Sequence, residues 1–401
     1  MYDVVIIGGG IAGLYTAYRL CRSRKVAVLE ESRQWGGRVK PATFAGMGVP
    51  VGAGVGRKAK DVRLQALLRE LRVPFREFPV THHVSAGLHC DDLRRTFDSL
   101  RAAYTRLLDR ARAVREPAPR MTFREFATSV LGRGRYAHFV QCAGYSDFEQ
   151  AAVQDVLYNY GFEDNMEDWT GLSVPWADVV AALLVRVKAH CKLHRHCAAT
   201  RITRRRASEG FSVHTSKGTV VRARTLVLAT DIDAIRALVP GNLHYYGHIH
   251  GQPFFRMYAA FSGVSAKTMQ TAIKGVTVVG GPLQKIIAMS DSVYMIAYSD
   301  NEHARTMLAM AKDKDGVTRL LERSLGLPPH ALSIDALESF FIPAGTHYND
   351  PGLPARTAPK ALQNPEPNVY VVGEAVSQHQ GWVEGALESV DSVLDMMEVV
   401  P

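Results

Sequence analysis

The sequence predicts an α/β protein: a doubly wound, mainly parallel sheet joined to a second, discontinuous α+β domain. Three observations carry this. "DVVIIGGGIAGLYTAYRL" near the N-terminus reads as strand, glycine turn and helix. "NVYVVGEAVSQHQGWVEGALESV" at 368–390 reads as a second strand, sharp turn and helix. Between them, "FRMYAAFSGV", "GVTVVGG", "KIIAMSD" and "SVYMIAYSD" alternate apolar and polar residues, as half-buried antiparallel strands do. The chain has 401 residues, 47% of them hydrophobic, which is material for a large core and two domains.

The first element is a strand over Val4–Ile7, a continuous apolar run suited to a parallel strand covered on both faces. Gly8, Gly10 and Gly13 then spell G-x-G-x-x-G. The first glycine makes the turn, the second lets a pyrophosphate approach the backbone, and the third lets helix and strand pack closely. Helix amides beginning near Ile11 and Ala12 face the phosphates. "KVAVLEE" is the next strand, and Glu30 ends it at the distance expected of a ribose-gripping carboxylate. A carboxylate accepts hydroxyl hydrogens and repels a 2′-phosphate, so the Rossmann-like unit is expected to take NAD or FAD rather than NADP. "WGGRV" places Gly36, Gly37 and Arg38 after that strand, an arginine suited to clamp a pyrophosphate. "VPVGAGVGR" follows, with Gly52, Ala53 and Gly54 as bare backbone on which a flat ring could lie. A second glycine-rich approach suits a flavin and is superfluous for NAD.

With these residues assembled, the chain resembles the flavin-containing amine oxidases: monoamine, polyamine and L-amino acid oxidases. The match is carried by "VVIIGGGIAGL…VAVLEESRQWGGRV" and by "VYVVGEAVSQHQGWVEGALESV", with weaker likeness in "TSKGTVVRARTLVLAT" and "GPLQKIIAMSDSVY". The resemblance implies FAD, and a last strand–turn–helix that closes over it. It implies that Gly373 and Glu374 meet the ribityl–phosphate region, and that Trp382 and the Val383 N–H stand at the isoalloxazine. It gives Lys285 as the lysine that holds a water near flavin N5. It gives Tyr348 and Trp382 as an aromatic sandwich that leads the amine inward, with oxygen as the final acceptor. The monoamine oxidases attach FAD through a cysteine one residue before that tyrosine. His347 stands there in this chain, so a thioether is excluded; a histidyl–flavin bond stays chemically open, and non-covalent FAD is expected. Ser32, Pro50 and the short chain depart from the family pattern.

The FAD-binding domain is expected over 1–80, 192–240 and 345–401, and the substrate domain over 81–191 and 241–344. "KDVRLQALLRELRV", with leucines at 64, 67, 68 and 71, is a helix of the first piece. "DDLRRTFDSLRAAYTRLLDRARAV", "TFREFATSVL" and "PWADVVAALLVRVKAH" are helices of the substrate domain, and a further helix spans about 301–325. Glu384 and Asp164 are acidic residues on offer to hold a polyamine.

Composition limits the alternatives. No leader pattern is visible and no apolar run approaches the roughly 20 residues of a bilayer span, so a soluble, cytoplasmic protein is expected. Five scattered cysteines are not a disulfide framework. "HCKLHRHC" holds zinc-type ligands but leads into the alternating "ATRITRR", and strand geometry sends neighbours to opposite faces, so no metal is expected. The net charge of +9, dense in "RITRRR" and between Arg94 and Arg135, admits nucleic acid or an acidic partner, although no nucleic-acid-binding motif accompanies it. Amine or amino acid oxidation is the leading function. A desaturase-type flavoenzyme and a non-catalytic FAD protein with a basic binding surface are the alternatives.

Overall fold

In the computed structural model the described residues are 1–90, 92–205, 210–239, 245–353 and 359–398. Arg206, the end of the basic "RITRRR" run, lies outside them.

The apolar run at the N-terminus forms the strand Tyr2–Ile7 at the centre of a seven-stranded sheet. Parallel to it run Val26–Leu29 on one side and Val220–Leu228 on the other; Lys192–His194 and Val369–Val371 continue outward. The hairpin of Ala199–Arg204 and Phe211–Thr215 completes the sheet antiparallel. Period-two alternation sends Val4 and Ile6 into one core and Val5 and Ile7 into another. The first core is covered by the helices Ile11–Leu20, Val62–Leu71, Trp176–Lys188 and Val383–Glu398. The opposite core holds the helix Ile232–Leu238 with Tyr246, Leu362 and Ala375. The helix Trp176–Lys188, expected with the substrate piece, thus packs its Val179, Leu183 and Val187 on the parallel sheet.

The alternating segments form the second sheet, ordered Ala336–Asn349, Ile249–Ala260, Val293–Asp300, Lys285–Ala288, Val276–Val278 and His82–Val84. All pairings are antiparallel except the last. The expected helix over 301–325 is two helices, Asn301–Met310 and Lys314–Ser324. Asp313 breaks it by accepting the Gly316 N–H at 2.8 Å as the N-cap of the second. A third layer holds the helices Leu93–Ala113, Phe123–Leu131, Arg133–Ala143 and Val153–Tyr158 around Phe97, Tyr104, Phe123, Phe139, Phe148 and Phe162.

Cysteine spacing alone suggested no pairing. The fold brings Cys90 and Cys142, 52 residues apart, into a disulfide with Cα atoms 5.6 Å apart. Sequence could not show this, because the loop and the helix that carry them meet only through tertiary packing. Among the described residues no three His, Cys, Asp or Glu side chains gather as a metal site, and no helix is long and apolar enough to cross a membrane.

Candidate active site

Three glycine segments meet in sequence order along the top of the parallel sheet. Gly8, at φ +109°, turns the chain off the first strand, and a Cβ on Gly13 would overlap the Gly8 carbonyl oxygen. Ile11 and Ala12 open the following helix as buried residues. The Gly36 N–H donates to the Gly9 carbonyl at 2.9 Å, and Gly10 bridges Gly36, so the "WGG" turn lies on the first loop beside Gly37. The Ala53 N–H donates to the Arg38 carbonyl at 3.0 Å, which seats Gly52 against the Arg38 backbone.

The residues fit a dinucleotide. A Cβ on Gly10 would meet nothing nearer than Gly37 Cα at 3.9 Å, so that side of the loop is open to a phosphate. Glu30 is 7% exposed; one carboxylate oxygen accepts the Gly9 N–H at 2.6 Å and the other the Ser32 N–H at 2.8 Å. Each oxygen keeps a lone pair for a ribose hydroxyl. Around the far end, Arg256 Nε, Thr346 Oγ1 and His347 Nε2 are buried with no protein partner. Buried polar groups are almost always satisfied, so three orphans in one region point to a ligand.

The N- and C-terminal motifs are joined by one carboxylate. Glu374, after Gly373, is 5% exposed. Its Oε1 accepts from Arg38 Nη1 at 2.5 Å and from His347 Nδ1 at 2.5 Å, and its Oε2 accepts the Gly381 N–H at 2.8 Å. Burial opposes its ionisation, but His347 and Arg38 together hold it far below the ordinary carboxylate range. Arg38 also donates to the Gly345 carbonyl at 3.0 Å. The arginine expected at a pyrophosphate therefore already links three distant segments.

Trp382 directly precedes the last helix, which begins at Val383 and whose Glu384 is 4% exposed and accepts the N–H groups of Arg63 and Leu64, each at 3.0 Å. Glu384 is thus committed to the N-terminus of the helix Val62–Leu71. Asp164 is equally committed, to Arg57 at 3.0 Å and Lys60 at 2.6 Å. Neither is free for a polyamine. The Arg57 guanidinium, held by Asp61, lies 3.7 Å from the centre of the Trp382 ring. Tyr348 stacks on His250, with ring centres 5.3 Å apart. No ring contact joins Trp382 to Tyr348 among the described residues.

Lys285 is 1% exposed, at the start of a strand rather than on a surface. Its Nζ lies 3.3 Å from the centre of the Tyr145 ring and 3.3 Å from Asn165 Oδ1. Burial pushes its pKa down to about 7, against the attraction of Asp147 and Asp300. Asp147 is raised to about 7 by burial and by Asp300.

Sequence reasoning missed Arg256. It is 2% exposed, makes no ion pair with an acid among the described residues, and donates to the Tyr298 hydroxyl at 3.0 Å. Its Nη1 would be 3.7 Å from a Cβ on Gly54, so it borders the third glycine segment directly. A lone arginine inside the apolar strand "PFFRMYAAF" was the available signal. Sequence reasoning also missed Asp147 and Asp155, which line a cavity of about 500 Å³ together with Gln252, His347, Tyr348 and Gln380.

Comparison with known proteins shows the fold and the family. Cyclohexylamine oxidase from Brevibacterium oxydans IH-35A superposes with a TM-score of 0.76 at 15% identity, covering 99% of each chain. Putrescine oxidase, in the wild-type structure bound to putrescine, gives 0.72 at 15% identity, again over 99% of each chain. No curated protein sequence matches the chain. The profile of the flavin-containing amine oxidoreductases matches residues 11–390. With nearly the whole length matched and both terminal motifs meeting at Glu374, this chain belongs to the flavin-containing amine oxidoreductase family and is a flavin-dependent oxidoreductase.

Proposed function

We propose that this protein oxidises an amine with non-covalently held FAD. The observation that carries the reading is the junction of Arg38, Glu374 and His347, which closes the C-terminal motif onto the glycine loops of the N-terminus. Gly8, Gly10, Ile11, Ala12, Gly13 and Glu30 would hold the ADP half. Gly36, Gly37, Arg38, Gly373 and Glu374 would hold the pyrophosphate and ribityl chain, and Gly52, Ala53, Gly54, Trp382 and Val383 the ring system. FAD supplies a two-electron acceptor for the C–H bond next to nitrogen.

This chain's residues supply placement and electrostatics. The amine loses a hydride from its α-carbon and a proton from nitrogen, leaving an imine that water hydrolyses to a carbonyl compound and ammonia or a smaller amine. Oxygen takes up the two electrons and two protons as hydrogen peroxide. The Arg256 guanidinium, without an acidic partner among the described residues, favours negative charge at the glycine segment it borders, and the amide end of the helix Val383–Glu398 favours negative charge at its own start. In this reading Tyr348, Lys285 and Trp382 shape the approach; Arg57 has already taken one face of Trp382, so the tryptophan is oriented rather than left as a free cage wall.

The test is an absorption spectrum of the purified protein before and after anaerobic addition of monoamines, polyamines and L-amino acids. Bleaching by an amine, with peroxide on admission of air, is the expected result. A yellow protein bleached by none of them removes the reading. Acid precipitation should leave the yellow colour in the supernatant, and colour in the pellet would show a covalent bond.

A further inference from the structure

The two sulfurs of the disulfide Cys90–Cys142 sit in unequal surroundings. Cys90 is half-buried, on the loop after the edge strand His82–Val84. Cys142 is buried in the last turn of the helix Arg133–Ala143. One helical turn before it, His138 Nε2 lies 3.7 Å from Cys142 Sγ. Thiol–disulfide exchange needs one sulfur that a thiolate can reach and another that leaves readily. A neighbouring imidazole eases the departure by supplying positive charge or a proton. This pair has both, a reachable sulfur at Cys90 and a leaving sulfur beside His138. A bond that only stapled two segments would need neither.

The segments it joins are also two sides of the enclosure around Lys285. On one side Lys285 pairs with Val278, and Val278 with Val84; the Ser85 N–H then donates to the Val278 carbonyl at 2.9 Å. His82, on the same short strand, is pushed down to about 4 by burial and then by the Lys285 charge. On the other side Gly144 follows Cys142 by two residues, at φ +64°. It lies against the lysine stem, where a Cβ would be 2.6 Å from Lys285 Cε. Tyr145 comes next, its ring centre 3.3 Å from Nζ. A buried ammonium gains by reaching water, so it stays inside only while these sides are held together.

We propose that Cys90–Cys142 is a thiol–disulfide switch on the Lys285 enclosure: closed, it clasps the two sides, and opened by a glutathione-type thiol, it lets Lys285 reach solvent. In opening, a thiolate attacks Cys90 Sγ and forms a mixed disulfide. The bond to Cys142 breaks, and Cys142 leaves as a thiolate that takes up a proton. A second thiol resolves the mixed disulfide, so two electrons and two protons pass from the reductant to the pair. In closing, hydrogen peroxide converts the Cys90 thiol to a sulfenic acid with release of one water. The Cys142 thiol condenses with it, forming the disulfide and releasing a second water. Peroxide is the product of the amine oxidation proposed above, and its supply by the enzyme itself rests on that reading.

The experiment treats the purified, folded protein with an excess of reduced glutathione and then, after its removal, with hydrogen peroxide. At each stage Cys90 and Cys142 are read by alkylation and peptide mass spectrometry, and Lys285 by its rate of acetylation with acetic anhydride. Glutathione should open the pair without loss of the folded circular dichroism spectrum and should raise the Lys285 rate about tenfold or more. Peroxide should reverse both. His138→Ala should slow opening about threefold or more. The double variant Cys90→Ser, Cys142→Ser should acetylate Lys285 at the open rate with or without glutathione; if it does not fold, the wild-type readings decide. A pair that resists glutathione until the protein unfolds, or that peroxide does not close again, overturns the proposal. So does a pair that opens while the Lys285 rate stays unchanged, which would make it a staple only. None of these readings needs turnover. A protein that switches in this way but is bleached by no amine sinks the oxidation and leaves the switch standing; bleaching by an amine with an inert pair does the reverse.

Discussion

Glu374 works as an ion inside the protein because its surroundings are built for the charged form. Arg38 comes from the N-terminal motif, His347 from the long returning strand, and the Gly381 N–H from the loop before the last helix. Replacing it by Gln keeps the shape but leaves Arg38 without its counter-charge and His347 Nδ1 without a carboxylate partner. Glu374→Gln should cost about 3 kcal/mol, read as a shift in denaturant midpoint, and should weaken flavin retention on dialysis. The sign with pH follows from its depressed pKa. Its contribution is present above the unfolded carboxylate pKa and is lost as pH falls through the folded one. Acidification should therefore release flavin from the native protein at a higher pH in the variant.

Elements are ended here by local chemistry that can be read from the chain. Thr122 and Glu125 form a reciprocal capping box at the start of the helix Phe123–Leu131: the Glu125 N–H donates to Thr122 Oγ1 at 3.2 Å, and the Thr122 N–H to Glu125 Oε2 at 2.8 Å. That helix presents Phe123, Phe126 and Ala127 to the core behind the candidate cavity. Thr122→Ala should lower stability by about 1 kcal/mol, measured by thermal or denaturant unfolding, with the flavin spectrum of the folded protein unchanged. The same logic divided the region 301–325, where Asp313 caps a second helix that periodicity alone would have run together with the first. Apolar spacing reports which face is buried and is insensitive to a short break in the helix.

At the scale of the whole molecule, a lysine and an aspartate buried in one wall give stability an unusual pH profile. Lys285 titrates at about 7 in the folded chain against an ordinary 10.5, so between those values the unfolded chain binds more protons and stability rises with pH. Asp147 titrates at about 7 against an ordinary 3.8, so from 3.8 to 7 the folded chain binds more protons and stability falls with pH. Together they contribute a trough near neutrality. Lys285→Met should flatten the rise on the alkaline side, seen in denaturant midpoints across pH 7 to 10. An unchanged slope would mean that Lys285 is not buried as described.

Much of this protein was legible along the chain. Val4–Ile7, the glycines at 8, 10 and 13, Glu30 and the "WGGRV" turn follow from sterics and hydrogen bonding within about thirty residues, and the alternating segments between 253 and 300 fixed the second sheet. The C-terminal motif was equally plain as strand, turn and helix. Pairing over distance was not. That Arg38 finds Glu374, that Glu384 caps the helix Val62–Leu71, that Arg57 covers Trp382, and that Cys90 reaches Cys142 were settled only when the layers packed. Asp147 and Asp155 stood unremarked for the same reason: a carboxylate in the sequence carries no mark of burial, and it is burial that raises the pKa of each.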